Sequence, residues 1–298
     1  MAILYYLEKI RTPFFDKLMS YVTLLGSEMF LMVGALIVLW CVNKKWGYYL
    51  LFVSSIGTTI NQFLKNLFAI PRPWVKDPNF TIVEAARSAA TGYSFPSGHT
   101  QTITGFLGGI ARILKQWKYR VVLILIILLV AFSRMYLGVH TPLDVFVSLF
   151  IGTMLVFIFY PFFKNKQHEL LIMIIGVLLA LGHVLFMEYK AIGVLVLDDN
   201  LIDGLKNAYT CLGLALSIPV IFYIDRKYLK YPTKAVWWAQ IIKCVIGLAL
   251  LVGVRTLLKE PLLILTNGHN IADCIRYFLM AFIGGAVWPM TFKWFSKL

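Results

Sequence analysis

Apolar residues dominate this chain in long blocks separated by short polar stretches, and the block lengths set its architecture. A bilayer core needs roughly twenty predominantly apolar residues per helix. Nine blocks meet that need: residues 21–42, 46–64, 98–114, 121–137, 142–163, 169–187, 207–224, 235–257 and 272–294. Ahead of them, Ile3, Leu4, Leu7, Ile10, Phe14 and Leu18 recur at helical spacing, with Glu8, Lys9, Arg11 and Lys17 between them. This pattern predicts an amphipathic helix in the membrane interface. It lacks the basic start and unbroken apolar run of a cleavable signal. The expectation is an all-α, polytopic membrane helix bundle with about nine transmembrane helices and an N-terminal interfacial helix. The third block is the most polar, with Thr100, Gln101, Thr102, Thr104 and a Gly105-x-x-x-Gly109 pair, as suits a helix packed inside a bundle. No repeat or soluble segment interrupts the pattern. Residues 1–298 read as one membrane domain, with a core at about 20–190 and additional helices at about 205–295.

Composition sharpens this picture. Hydrophobic residues make up 60% of the 298 and charged residues 14%, against roughly a quarter charged in soluble domains. Both a soluble globular protein and a disordered one are excluded. The net charge of +14 would suggest nucleic acid in a soluble protein. Here it is an orientation signal. With the N-terminus on one side, the opposite side collects fourteen Lys and Arg against only Glu169 and Asp225. The N-terminal side carries thirteen basic and twelve acidic groups. Basic short loops mark the cytoplasmic side, so the N-terminus faces outward and no nucleic acid partner is needed. The four cysteines lie far apart in apolar runs without CxxC spacing, which points to neither zinc nor a disulfide framework.

Three polar clusters fall at block ends, all on the outward side. They are Lys65-x6-Arg72-Pro73, Pro96-Ser97-Gly98-His99, and Ser133-Arg134-x5-His140-x3-Asp144. As chemistry the set suits a phosphate ester. Lys65, Arg72 and Arg134 supply charge and forked donors for phosphoryl oxygens. Ser97, Gly98 and His99 open a helix, where free backbone N–H groups favour an anion and glycine allows close approach. One histidine can attack phosphorus while the other protonates the leaving oxygen. Asp144 can take the second ring N–H of His140. Plainer readings exist for each. Lys65 and Arg72 could be interfacial anchors, Ser97 a helix cap, and Thr141-Pro142-Leu143-Asp144 a capped helix start. Accidents would scatter over both faces, however, and these clusters share one.

Taken together, the three motifs resemble the signature of the type 2 phosphatidic acid phosphatase superfamily, which includes membrane lipid phosphatases, glucose-6-phosphatase, soluble acid phosphatases and vanadium haloperoxidases. The match is complete and in order over residues 65–144. The resemblance implies that His140 is the nucleophile of a phosphohistidine, Asp144 its partner and His99 the general acid. Lys65, Arg72, Ser97, Gly98 and Arg134 would hold the phosphate, with no metal or other cofactor. Candidate substrates are undecaprenyl diphosphate, phosphatidylglycerol phosphate and phosphatidic acid. The alternatives are a soluble sugar phosphate, as in glucose-6-phosphatase, or a non-enzymatic carrier of phosphate ligands. Short basic loops favour a bacterial plasma membrane.

Two further features carry expectations. Thr81 and Glu84 form a capping-box pattern and Gly92 a possible C-cap, predicting a short helix beside the site. Lys243 is a charge inside a span, expected to snorkel towards the cytoplasmic side.

Overall fold

The computed structural model describes residues 1–297, and every regular element among them is helical. The chain opens with α1 (Ala2–Lys9), α2 (Pro13–Leu24) and α3 (Glu28–Ile37), which runs on as a π-helical turn, Val38–Val42. Next come α4 (Lys44–Phe68), the single turn α5 (Pro73–Lys76), a 3-10 turn at Glu84–Ala86, α6 (Gly98–Ile113), α7 (Trp117–Tyr136) and α8 (Pro142–Asn165). Beyond these lie α9 (Glu169–Ala191), α10 (Asp199–Ile224), α11 (Trp237–Leu257), α12 (Lys259–Leu265), α13 (Ile271–Phe282) and α14 (Phe292–Phe295).

Among the described residues, six stretches are long and apolar enough to cross a membrane: Trp117–Tyr136, Pro142–Asn165, Glu169–Ala191, Asp199–Leu229, Trp237–Leu265 and Ile271–Phe295. A seventh arises if Pro13–Leu24 and Glu28–Val42, bent by 45°, count as one broken span. The expected number of nine is not reached on length and apolarity. The two that fall short are α4, with Asn61, Gln62, Lys65 and Asn66 on its last turns, and α6, only 16 residues long. These are the helices that bear the first two motifs.

The amphipathic start also differs from the expectation. It breaks at Ile10–Thr12, where Thr12 accepts a hydrogen bond from the Phe15 N–H at 3.4 Å and Pro13 takes the first helical position. Leu4 and Leu7 are buried, and Leu4 packs with Phe80 and Ile82 of the protein itself. Ile3, Ile10, Phe14 and Leu18 remain exposed.

The chain divides into two compact units. One comprises Met1–Met32, Gly57–Pro161 and Gly193–Gly204; the other comprises Val33–Ile56, Phe162–Ile192 and Leu205–Leu298. In the first, α6 packs along α7, and α1 and α2 also lie against α7. Thr100, Gln101, Thr102 and Thr104 are buried on α6. The hydroxyls of Thr102 and Thr104 donate one turn back to the Gly98 and Thr100 carbonyls, at 2.9 and 2.7 Å. Such bonds let an apolar bundle bury polar side chains. The predicted helix between the first two motifs is reduced to the turn Glu84–Ala86. Its capping residue is taken: the Thr81 N–H donates to Glu8 at 2.9 Å and its hydroxyl bonds the same carboxylate. Glu84 instead pairs with Arg87 at 2.7 Å.

In the second unit, buried charges are paired or bound to carbonyls. Asp225 accepts from Lys44 at 2.8 Å and from the Tyr48 hydroxyl at 3.3 Å, while Glu169 pairs with Arg226 at 2.7 Å. Lys243 does not snorkel. Fully buried, it donates to the Trp40 and Thr233 carbonyls and to Gln240 Oε1, and lies 4.2 Å from the Phe292 ring centre. Three acceptors and an aromatic face compensate its desolvation. Cys41 and Cys244, distant in sequence, come within 3.5 Å at sulfur.

Candidate active site

All three motifs lie in the first unit. Lys65 stands on the last turn of α4, one turn before Ala69, whose N–H donates to the Lys65 carbonyl and which reverses the chain with φ of 48°. The extended segment that follows places Arg72 at the head of α5, with Pro73 as its first residue. Lys65 and Arg72 are buried, and both spend donors on a single loop. Lys65 Nζ donates to the Tyr93 carbonyl at 2.6 Å. Arg72 Nε and Nη2 donate to the Gly92 and Thr91 carbonyls at 3.0 and 2.7 Å. Its Nη1 reaches the Val139 carbonyl and His140 Nε2, both at 3.0 Å.

His140 follows α7 in a tight turn whose Val139 and His140 N–H groups donate to the Arg134 carbonyl at 3.2 and 3.3 Å. The residue is 1% exposed. Because a guanidinium only donates, Nε2 must accept, and the ring proton is assigned to Nδ1. Nδ1 lies 3.4 Å from Asp144 Oδ2, close enough for an ion pair but without hydrogen-bond geometry.

Asp144 plays two parts at once. It is the third residue of α8, and its Oδ2 accepts from the Thr141 N–H at 2.8 Å while its own N–H donates to the Thr141 hydroxyl at 3.3 Å. This reciprocal cap is the plain reading of the motif. The same oxygen also accepts from the Ser94 hydroxyl at 2.6 Å and faces His140. The oxygen that caps the helix is therefore also the one that faces His140.

The second motif joins the third through backbone, the Ser97 N–H donating to the Asp144 carbonyl at 3.2 Å. Ser97 precedes α6 without capping it; its Oγ accepts from the Thr100 hydroxyl at 3.0 Å. The first N–H groups of α6 are left free of intrahelical partners, as at any helix start. A Cβ added at Gly98 would meet only Asn61 Oδ1, at 3.7 Å, so no protein atom requires glycine there. His99 lies within electrostatic reach of Arg134, Arg72 and Lys65, in that order of strength. Arg134 is 1% exposed and donates through Nη1 to Thr23 Oγ1 at 2.7 Å.

Burial holds His140 well below the usual histidine range, and the charges of Arg72, Arg134 and Lys65 reinforce this. Burial also lowers Arg72 to about 10, with Asp144 opposing, which leaves it charged at neutral pH. Among the described residues, no three His, Cys, Asp or Glu side chains gather as metal ligands.

Three residues of this site escape a motif reading. Thr23 and Ser94 are isolated hydroxyl residues in sequence, and only the fold sets them on Arg134 and Asp144. Asn61 lies one turn before Lys65 on the same face of α4, buried beside Gly98, with neither amide atom hydrogen bonded. The four-residue interval between Asn61 and Lys65 was a legible signal.

Lys65, Arg72, Arg134 and His140 are thus buried in one unit of an all-helical membrane protein. Residues 46–168 match the PAP2 superfamily, and residues 209–297 match the PAP2 superfamily phosphatase transmembrane extension. The chain belongs to the PAP2 superfamily. It is 30% identical over 152 residues to an undecaprenyl-diphosphatase of Bacillus subtilis, covering 49% of this chain and 74% of that one. It is 27% identical over 160 residues to a dihydrosphingosine 1-phosphate phosphatase of Saccharomyces cerevisiae, covering 51% of this chain and 39% of the yeast protein. The chain spans half or less of the length of this relative and of two similar ones from Dictyostelium discoideum and Schizosaccharomyces pombe. A crystal structure of a transmembrane PAP2 type phosphatidylglycerolphosphate phosphatase from Bacillus subtilis aligns over 56% of this chain and 86% of its own, at 26% identity and a TM-score of 0.48.

Proposed function

We propose that the protein is a membrane phosphatase that hydrolyses a lipid phosphate or diphosphate through a phosphohistidine on His140. The observation that carries this reading is the contact between Arg72 Nη1 and His140 Nε2 at 3.0 Å. The lone pair of a buried imidazole is thereby turned towards a cation of the first motif, where a phosphate held by that cation would meet it.

In this mechanism Lys65, Arg72, Arg134 and the free N–H groups at Gly98 and His99 hold the phosphoryl oxygens. His140 Nε2 attacks phosphorus and the bond to the leaving oxygen breaks, with His99 donating the proton that oxygen needs. Asp144 holds the Nδ1–H and stabilises the cation that forms on the ring. His99, now deprotonated, takes a proton from water, which attacks the phosphohistidine and releases inorganic phosphate. Charge neutralisation rests on side chains and backbone dipoles. A membrane-embedded bundle favours a substrate with an apolar tail, and the named relatives act on an isoprenoid diphosphate and a sphingoid phosphate. By the positive-inside rule the basic loops support a site on the outer face of a plasma membrane, and their shortness supports a bacterial one.

Detergent-solubilised protein should release phosphate from undecaprenyl diphosphate, phosphatidylglycerol phosphate or phosphatidic acid, and not from glucose 6-phosphate. Release from the sugar phosphate alone would overturn the lipid reading. Binding of every substrate without release would favour a carrier.

The neutral state of His140 has a signature in stability. The native ring resists protonation, whereas the unfolded one takes a proton below pH 6.5 or so. The unfolded state therefore binds more protons as pH falls, and the protein loses stability. Relative to His140→Asn, the wild type should lose up to about 2 kcal/mol between pH 7 and pH 5, and nothing further above pH 7.5 or so. Thermal unfolding of both proteins in phosphate-free buffer reads the difference. Parallel curves would show that His140 titrates like a solvated histidine.

A further inference from the structure

We propose that the strap Thr91–Ser94 is the positioning element of the phosphate site and that Gly92 is the residue that shapes it. This rests on the phosphatase reading above and assigns a role to residues outside all three motifs.

Four consecutive residues each hold a member of the site. The Thr91 carbonyl accepts from Arg72 Nη2, the Gly92 carbonyl from Arg72 Nε, and the Tyr93 carbonyl from Lys65 Nζ. The Ser94 hydroxyl donates to Asp144. The strap is itself anchored, its Ser94 N–H donating to the Ile70 carbonyl at 2.8 Å. One short segment thus ties the cations of the first motif to the carboxylate of the third.

The arrangement divides the labour of Arg72. Two of its nitrogens face the strap, and Nη1 is left to face His140. A guanidinium is planar and rigid, so fixing one edge aims the other. For three carbonyls in a row to converge on two cations, the backbone must turn sharply, and it does so at Gly92 with φ of 63°. That region is open to glycine, tolerable for asparagine and unfavourable for other L residues. A Cβ at Gly92 would meet nothing within 4 Å. Substitution there changes backbone preference alone. Relaxing φ rotates the peptide between Thr91 and Gly92, moving the carbonyl that accepts from Arg72 Nη2.

Gly268 supplies a matched control. It has φ of 77°, an equally open Cβ position and a place in the α12–α13 loop, with no hydrogen bond to a site residue. Gly92→Ala should raise KM for the best lipid substrate about tenfold, the order of an L residue's penalty in this region, and lower kcat less. The Ki of inorganic phosphate should rise in parallel. Gly92→Asn should recover most of both, and Gly268→Ala should move neither. If Gly92→Ala does not fold, the Asn variant carries the comparison through its Ki for phosphate, expected to rise about twofold.

Unchanged KM and phosphate Ki in folded Gly92→Ala would overturn the proposal. So would equal shifts in Gly92→Ala and Gly268→Ala, which would mark general loop strain. A wild type that releases no phosphate from any substrate would instead remove the phosphatase reading, and the inference with it.

Discussion

Replacing His140 by alanine is expected to abolish phosphate release, lowering kcat by on the order of 10⁴-fold or more, as loss of a catalytic nucleophile does. The folded protein should survive the change. Removing a neutral ring leaves no buried ionised group without a partner, and the Arg72 Nη1 it frees keeps the Val139 carbonyl at 3.0 Å. The variant should still bind inorganic phosphate, because Lys65, Arg72, Arg134 and the helix start remain. Phosphate release, acid-labile phosphoryl trapping and phosphate binding on the same preparation test these statements together. Undiminished release would remove His140 as the nucleophile. Release lost together with phosphate binding would mean that the ring builds the pocket rather than reacting in it.

The second large effect concerns Asp144. Asn in its place keeps the shape and can still accept from the Thr141 N–H, so the start of α8 should persist. The negative charge is lost, and with it, in the proposed mechanism, the stabilisation of the cation that would form on His140 during attack. Because one oxygen both accepts from the Thr141 N–H and faces Nδ1, an amide turned to keep the cap still offers its oxygen to the ring, and the effect is that of the lost charge. Asp144→Asn should therefore lower kcat by about 10³-fold with little change in KM. In the proposed mechanism the carboxylate acts through His140 and not on the phosphate, so the loss would belong to the transition state. Asp144→Ala should add a fall in melting temperature, because the cap on Thr141 disappears and the Ser94 hydroxyl loses its acceptor. Comparing melting temperatures and kcat for the two variants separates the capping part from the site part. A mere twofold loss in Asp144→Asn would reduce Asp144 to a cap.

The helical blocks were legible because burial in a bilayer imposes a length and a hydropathy on each span, and both are local. Their number was not. α4 and α6 carry polar residues that tertiary packing tolerates, and the break at Leu25–Ser27 divides what reads as a continuous first block. The helix expected from Thr81 and Glu84 failed because Glu8, more than seventy residues away, takes the N–H and hydroxyl of Thr81. A capping signal is local, but its competitor was not. Lys243 reads as a snorkelling charge for the same reason, since nothing near it in sequence announces the carbonyl of Trp40.

By itself, the sequence determined that this is a helical membrane protein of a recognisable family, and it singled out the polar clusters from which the site is proposed. Those properties reside in composition, block length and spacing within a turn or two. Only the tertiary structure decided how the cations are aimed. Arg72 meets His140 across 68 positions, Arg134 rests on Thr23 across 111, and the strap at Thr91–Ser94 links two motifs that it does not belong to. A hydrogen bond of 3 Å between such residues depends on every helix that separates them, and no local pattern records it.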